Sequence, residues 1–154
     1  MSDNPSTGAA RNDACELGRY LAAQEGVYAA ALAELQAGQK RSHWMWFVFP
    51  QVQGLGHSGM AVRYAITSRD EARQYFAHPV LGSRLRACAA AVLAVDGRSA
   101  ADIFGYPDDL KLRSSMTLFA AVAEPGSVFS RVLDQYFQGE QDVMTLEVLE
   151  TMKR

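Results

Sequence analysis

The stretch Pro107-D-D-L-K-L-R-S-S-M-T-L-F-A-A-Val122 decides the fold class of this chain. At 3.6 residues per turn its side chains fall on two sides, one carrying Leu110, Ser114, Thr117, Leu118 and Ala121 and the other Leu112, Met116, Phe119 and Ala123. A helix that is apolar on both sides belongs at the centre of a fold. The segment therefore predicts a buried central helix, with other helices packed around it.

The segments on either side also favour helices. Apolar residues recur at helical spacing in 14–36, in the run that follows Pro79, and in 128–137, while no segment alternates cleanly between polar and apolar residues. We therefore predict an all-α, compact single-domain bundle of about six to eight helices, some short, over residues 14–152. The small polar residues of 1–13 predict a disordered or poorly ordered tail.

Several side chains have the spacing of helix caps. The residues that we expect to begin helices are Ser42 (43–48), Ser58 (through Ile66), Ser68 with Glu71 in a capping box, Ser99 (through Phe104) and Asp142. His78, before Pro79, is expected near a helix C-terminus.

Composition limits the classes of function. The 154 residues carry a net charge of −2, so nonspecific nucleic-acid binding lacks the electrostatic attraction that it needs. The sequence has no run of about 18 apolar residues, so we expect no membrane span. The N-terminus does not resemble a signal peptide, so we expect a cytoplasmic protein. Cys15 and Cys88 lack metal-ligand spacing. We expect free thiols, no metal and no cofactor.

The block K40-R-S-H-W-M-W-F-V-F-P-Q51 is the most aromatic part of the chain. His43 and Trp46 are three residues apart and share a face if the segment is helical. With Gln51 they could form the wall of a pocket for a flat ligand, since such pockets combine aromatic side chains with a few polar groups. The alternative is that the block only fills the core. The sequence leaves both interpretations open.

The central helix carries an unusual polar cluster. The members are Lys111, Arg113, Ser114, Ser115 and Thr117. Leaving such groups buried and unpaired costs about 1–3 kcal/mol each, so they need partners. One hypothesis is an anionic or hydroxylated ligand. The alternative is internal pairing, with hydroxyls bonded to carbonyls one turn back and Lys111 paired to Asp108.

Known catalytic and phosphate-binding motifs do not occur. The loop Q51-V-Q-G-L-G-H57 contains two glycines but does not have the spacing of a phosphate-binding loop. His57 in that loop is expected to be exposed. The sequence contains neither G-x-S-x-G nor H-E-x-x-H. An enzymatic role therefore stays open, without a residue to carry it.

The distinctive blocks together resemble a known family. K40-x-S-H-W-M-W-F-V-F-P-Q51, G54-L-G56, H78-P-V-L-G82, K111-x-R-S-S-M-T-L-F119 and D142-x-x-T145 are similar to the DUF1810 family, over roughly 17–149. The resemblance implies a small, mainly helical protein and supplies no catalytic residue.

We therefore predict that the aromatic and polar blocks meet in one polar-lined pocket, the only one of its kind. The residues expected there are His43, Trp46, Gln51, Lys111, Arg113, Ser114, Ser115 and Thr117. The ligand would be small and anionic or nucleotide-like, with Lys111 supplying charge and Trp46 a flat wall. The alternative is a protein-interaction module without catalytic activity; the oligomeric state stays open.

Overall fold

The fold is built almost entirely from helices. The structure, a computed structural model, describes residues 17–152. In that range the helices are α1 (17–24), α2 (Tyr28–Gln36), α3 (Met45–Val48), α4 (Gly59–Arg63), α5 (Arg69–Ala77), α6 (Leu81–Leu93), α7 (Ala100–Phe104), α8 (Asp108–Val122), α9 (Val128–Phe137) and α10 (Val143–Thr151). No strand occurs among these residues, only an isolated parallel β-bridge between Val52 and Ile66. The all-α class is confirmed. The disordered or poorly ordered tail expected for 1–13 and the free thiol expected at Cys15 lie outside the described residues.

Helix α8 occupies the centre, as its two apolar sides predict. It packs against α5, α7, α9 and α10, and its buried residues are Leu112, Ser114, Ser115, Met116, Thr117, Leu118 and Phe119. A second layer forms where α6 packs against α2, α5 and α9. Most of the remaining apolar side chains, including those of α3, join the same core.

The expected single helix over 14–36 is wrong, because the chain breaks it at 25–27. Gly26 has a φ of +74° there, a left-handed conformation that glycine adopts without steric cost. The helical spacing of apolar residues continues across the break, so the pattern alone did not reveal it. With this break, residues 17–152 contain ten helices, some of them short, against the expected number of about six to eight.

The loop 51–57 is fastened to the segment after α4. The Ile66 N–H donates to the Gln51 carbonyl over 2.8 Å, and the Gln53 N–H donates to the Ile66 carbonyl over 2.9 Å. Ser58 caps α4 as expected, accepting from the Ala61 N–H. The helix ends at Arg63 rather than Ile66, because Ile66 takes part in this pairing.

Several predicted caps are present, and one histidine has an unexpected role. Ser99 and Asp102 form a capping box on α7, and Asp142 caps α10 by accepting from the Thr145 N–H. His78 does follow α5, but its Nδ1 accepts from the Val80 and Leu81 N–H groups over 3.0 and 3.2 Å. The imidazole therefore caps the beginning of α6.

Gly82 lies where α6 passes close to the last turn of α5. A Cβ added to Gly82 would lie 2.0 Å from the Phe76 carbonyl oxygen. The two helices can approach this closely only because the residue has no side chain. The H78-P-V-L-G82 block thus builds the corner between α5 and α6.

Candidate functional site

A cavity of about 360 Å³ opens between the loop 51–58 and the first turns of α8 and α10. Its polar lining consists of Gln51, His57, Ser58, Lys111, Ser114 and Asp142. Its apolar lining includes Trp46, Leu55, Ala61, Pro107, Leu110 and Met144. The volume lies within the range of about 300–1,000 Å³ that is typical of small-molecule sites.

Trp46 supplies the aromatic wall of the cavity. Its neighbours Trp44 and Phe47 are buried in the core, whereas Trp46 is only half-buried. The Lys111 Nζ lies 5.5 Å from the centroid of the Trp46 ring, a cation–π distance. The aromatic block therefore contributes mostly to the core and presents one indole to the cavity.

One carboxylate beside the cavity forms ion pairs with two lysines. Asp108 accepts from Lys40 through Oδ2 at 3.0 Å and from Lys111 through Oδ1 at 3.3 Å. The Lys40 side chain is only 7% exposed, whereas that of Lys111 is 29% exposed. Lys40 is therefore the fixed partner of Asp108, and Lys111 is the cation that solvent or a ligand can reach.

A polar network joins α8 to the start of α10. The Ser114 hydroxyl lies 3.2 Å from Asp142 Oδ2 and 3.2 Å from the Leu110 carbonyl, so it can donate to either. The Asp142 N–H donates to Thr117 Oγ1, whose hydroxyl in turn donates to the Arg113 carbonyl. Part of the polar cluster is thus satisfied internally, and this pairing fixes the Asp142 carboxylate at the cavity.

The structure brings four of the eight proposed site residues together. Trp46, Gln51, Lys111 and Ser114 all line the cavity. The other four are His43, Arg113, Ser115 and Thr117, and none is among the lining residues.

These four have other surroundings. His43 is exposed, and Ser115 is fully buried with no hydrogen-bond partner for its Oγ among the described residues. Arg113 stacks over Phe137 and lies 3.7 Å from Glu140. Ser114 and Ser115 face differently because consecutive helical residues are separated by about 100° around the axis.

His57 and Asp142 line the cavity but were not proposed for the site from the sequence. His57 is exposed, as expected, and reaches the cavity because the loop is fastened to Ile66. Asp142 was recognised only as a helix cap. The D142-x-x-T145 spacing signalled the cap, but nothing local signalled that α10 begins beside Ser114.

The cavity contains no activated nucleophile among the described residues. Ser114 donates to a carbonyl or a carboxylate, and no hydrogen bond connects it to His57. In residues 17–152 no three His, Cys, Asp or Glu side chains are grouped as a metal site would require. What the arrangement offers is binding chemistry: one reachable ammonium, one carboxylate, an imidazole and a flat ring.

Glu34 holds the loop that leads into the aromatic block. Its carboxylate accepts from the Arg41 N–H, the Ser42 N–H, the Ser42 hydroxyl and the Trp44 indole, with distances between 2.6 and 3.1 Å. The expected Ser42 cap is therefore wrong: its hydroxyl bonds Glu34, and Trp44 occupies the N-cap position of α3 without a side-chain bond. Burial would raise the pKa of Glu34, but the donors outweigh it and lower the pKa from 4.5 to about 2.

Acid should therefore weaken the fold through Glu34. Because the folded pKa is depressed, this stabilisation is complete above the unfolded pKa near 4.5 and is lost as pH falls toward about 2. Urea unfolding at pH values between about 5 and about 2 would measure this loss of stability, because that range spans the unfolded and folded pKa values of Glu34. Glu34→Gln should flatten this part of the profile, whereas Glu124→Gln, at an exposed turn, should leave it intact. Equal acid sensitivity of wild type and Glu34→Gln would contradict the assignment.

The fold and the cavity define an all-helical protein whose central helix presents a lysine and a serine to a polar-lined cavity. The family described as "Protein of unknown function (DUF1810)" matches residues 14–149. The chain belongs to this family, which confirms the resemblance seen in the sequence blocks. No helix in the described part of the chain is long and apolar enough to cross a membrane.

A solved structure is similar to this chain over nearly its whole length. It is the crystal structure of the conserved hypothetical protein Rv1873 from Mycobacterium tuberculosis at 1.38 Å. The two sequences are 50% identical, the match covers 89% of this chain and 98% of that chain, and the TM-score is 0.87. No curated protein matches the sequence.

Proposed function

We propose that this protein binds a small anionic, nucleotide-like ligand in the cavity between Trp46 and Asp142. One observation carries the proposal: Trp46 and Gln51 from the aromatic block, and Lys111 and Ser114 from the central helix, line the same cavity. The two blocks are 60 residues apart between Gln51 and Lys111. A pocket with a flat wall and a few convergent polar groups is the usual form of a small-molecule site.

The shared carboxylate makes Lys111 available to an anion. If Lys111 turned from Asp108 to a ligand, Asp108 would keep its shorter ion pair, 3.0 Å to Lys40. The carboxylate would then not be left buried without a counter-charge, which is the costly outcome of breaking an ion pair. The Lys111 side chain is only 29% exposed, so part of its hydration is already lost before a ligand binds.

The rest of the cavity suits a nucleoside-like group. The Trp46 ring offers an apolar face for a planar base, a contact worth about 1–3 kcal/mol in nucleic-acid sites. The Asp142 carboxylate and the His57 imidazole line the same cavity and can accept hydrogen bonds from hydroxyl groups. A ligand with an anionic group at one end and hydroxyls at the other would satisfy both.

The interaction-module alternative has less support. Among the described residues, seven large apolar side chains are exposed, including Leu110, Met144 and Val62. Leu110 and Met144 line this cavity, and Val62 lines a neighbouring one. Three of the seven therefore border concave sites, where a small molecule would also bury them.

Thermal-shift measurements with AMP, adenosine and inorganic phosphate would test the proposal. At a concentration of 100 Kd, a ligand stabilises the folded state by about 2.7 kcal/mol, so AMP should raise Tm by roughly 5 °C or more. Lys111→Ala should abolish the shift, because the reachable charge is gone. Its own stability should change by less than about 1 kcal/mol, as for a partly exposed ion pair.

Arg131→Ala is the matched control, since Arg131 is exposed on α9 and lines a different cavity. The cavity at Arg131 is also lined by Asp134 and Gln135, so the expectation of a single polar-lined pocket is wrong. The control should keep the full AMP shift. The proposal fails if neither AMP nor phosphate binds the wild type, or if Lys111→Ala binds AMP as tightly as the wild type does.

A further inference from the structure

A larger cavity lies directly behind the loop that borders the candidate site. It measures about 610 Å³ and is lined by Gln53, Gly54, Gly56, His57, Val62, Ala65, Thr67 and Val148. Two of these residues, Gly56 and His57, also line the first cavity. The two cavities are therefore neighbours that share a wall of two residues.

The shared wall is thin for a structural reason. A Cβ on Gly56 would lie 2.7 Å from the Ala61 Cβ, so the loop backbone rests on α4 and leaves no room for a side chain. His57 is exposed and lines both cavities. The barrier between the cavities thus consists of the Gly56 backbone and the His57 ring.

The second cavity differs from the first in chemistry. Its walls include Val62, Ala65 and Val148, with Gln53 and Thr67 as polar groups, and apart from His57 it has no ionisable lining residue. The Thr67 hydroxyl is already bonded to Glu71. The lining of this cavity supplies no Lys or Arg to hold an anionic group, whereas an apolar group would lose contact with water against the valines.

We propose that the two cavities form one bipartite site, in which the second takes an uncharged apolar extension of the anionic ligand held at Lys111. The substrate or ligand class is then an organic phosphate or nucleotide that carries an alkyl, acyl or aryl group. The apolar extension of the ligand would pass over Gly56, beside the His57 ring, from the polar cavity into the apolar one. This inference rests on the proposed function, because it takes Lys111 as the anchor of the anionic end.

Calorimetric titration with methyl, butyl and hexyl phosphate would test the inference, because the head group stays the same while the chain grows. If the chain enters the second cavity, affinity should rise by up to roughly fourfold per methylene. Val62→Asp places a carboxylate on the wall of that cavity. It should keep methyl phosphate and AMP binding and remove the gain with chain length. Val148→Ser, on α10, should reduce that gain.

The matched control is Val80→Asp, at another exposed valine outside both cavities. It should bind the whole series as the wild type does. If AMP and methyl phosphate bind but affinity does not grow with chain length, the bipartite site is overturned and the proposed function stands. If the affinity of Val62→Asp rises with alkyl length as much as that of the wild type, the alkyl group lies elsewhere and the inference is also overturned. If neither AMP nor a phosphate of any chain length binds, both proposals fail.

Discussion

Met116→Ala should lower the free energy of unfolding by about 2–5 kcal/mol, the usual effect of truncating a buried methionine. Met116 is fully buried on the central helix, which packs against four other helices. Because the surroundings of a buried side chain relax only partly after truncation, a cavity should remain at this position. Urea unfolding of wild type and variant, with the slope compared as well as the midpoint, would measure the loss.

Met144→Ala is the matched control for this truncation. Met144 is 57% exposed, so the same substitution should change the free energy of unfolding by less than about 0.5 kcal/mol. A loss below about 0.5 kcal/mol for Met116→Ala would show that α8 is peripheral and that the central position assigned to it is wrong.

Gly82→Ala should destabilise the protein by about 3 kcal/mol or more, at the upper end of the range for overpacking. The new methyl group would lie 2.0 Å from the Phe76 carbonyl oxygen, which belongs to the backbone of α5. No side-chain rotation relieves such a contact, so α5 and α6 must move apart. Gly82 is itself buried, so this movement would disturb the core. Thermal unfolding would show a large fall in Tm or a failure to fold.

Gly59→Ala separates the steric effect from the general effect of replacing glycine. Gly59 begins α4, and an added Cβ would meet nothing within 4 Å. Alanine also favours the helical conformation, so this variant should be unchanged or more stable by up to about 1 kcal/mol. Equal stability of the two variants would contradict the close approach of α5 and α6.

The helix boundaries that depend on residues close together in sequence were predicted more accurately than those that depend on tertiary contacts. The caps at Ser99 and Asp142 depend only on residues three positions apart, so the sequence contains all the information that they require. The break at Gly26 also depends on a local conformation, but glycine inside a helical pattern is tolerated often enough that its presence is ambiguous. Ser42 had the right type and position for a cap, but its hydroxyl donates to Glu34, eight residues away, instead.

The candidate site was predicted only in part, because half of it depends on tertiary contacts. Lys111 and Ser114 could be chosen because polar residues in an apolar helix need partners. Ser115 could not be separated from Ser114, since both sides of α8 are apolar and the pattern does not indicate which side faces a cavity. His57 and Asp142 belong to a loop and a cap, and their arrival at α8 follows from how α4 and α10 pack.

The fastening of the loop 51–57 to Ile66 determines how the protein would respond to a ligand. Two backbone hydrogen bonds hold Gln51 and Gln53, and Gly56 is pressed against α4. The main chain on this side of the cavity is therefore already ordered, and binding would require mainly rotations of the Lys111 and His57 side chains. Such a preorganised site loses little conformational entropy when it is occupied. If the proposed ligand binds here, we expect the backbone to shift by no more than about 1 Å.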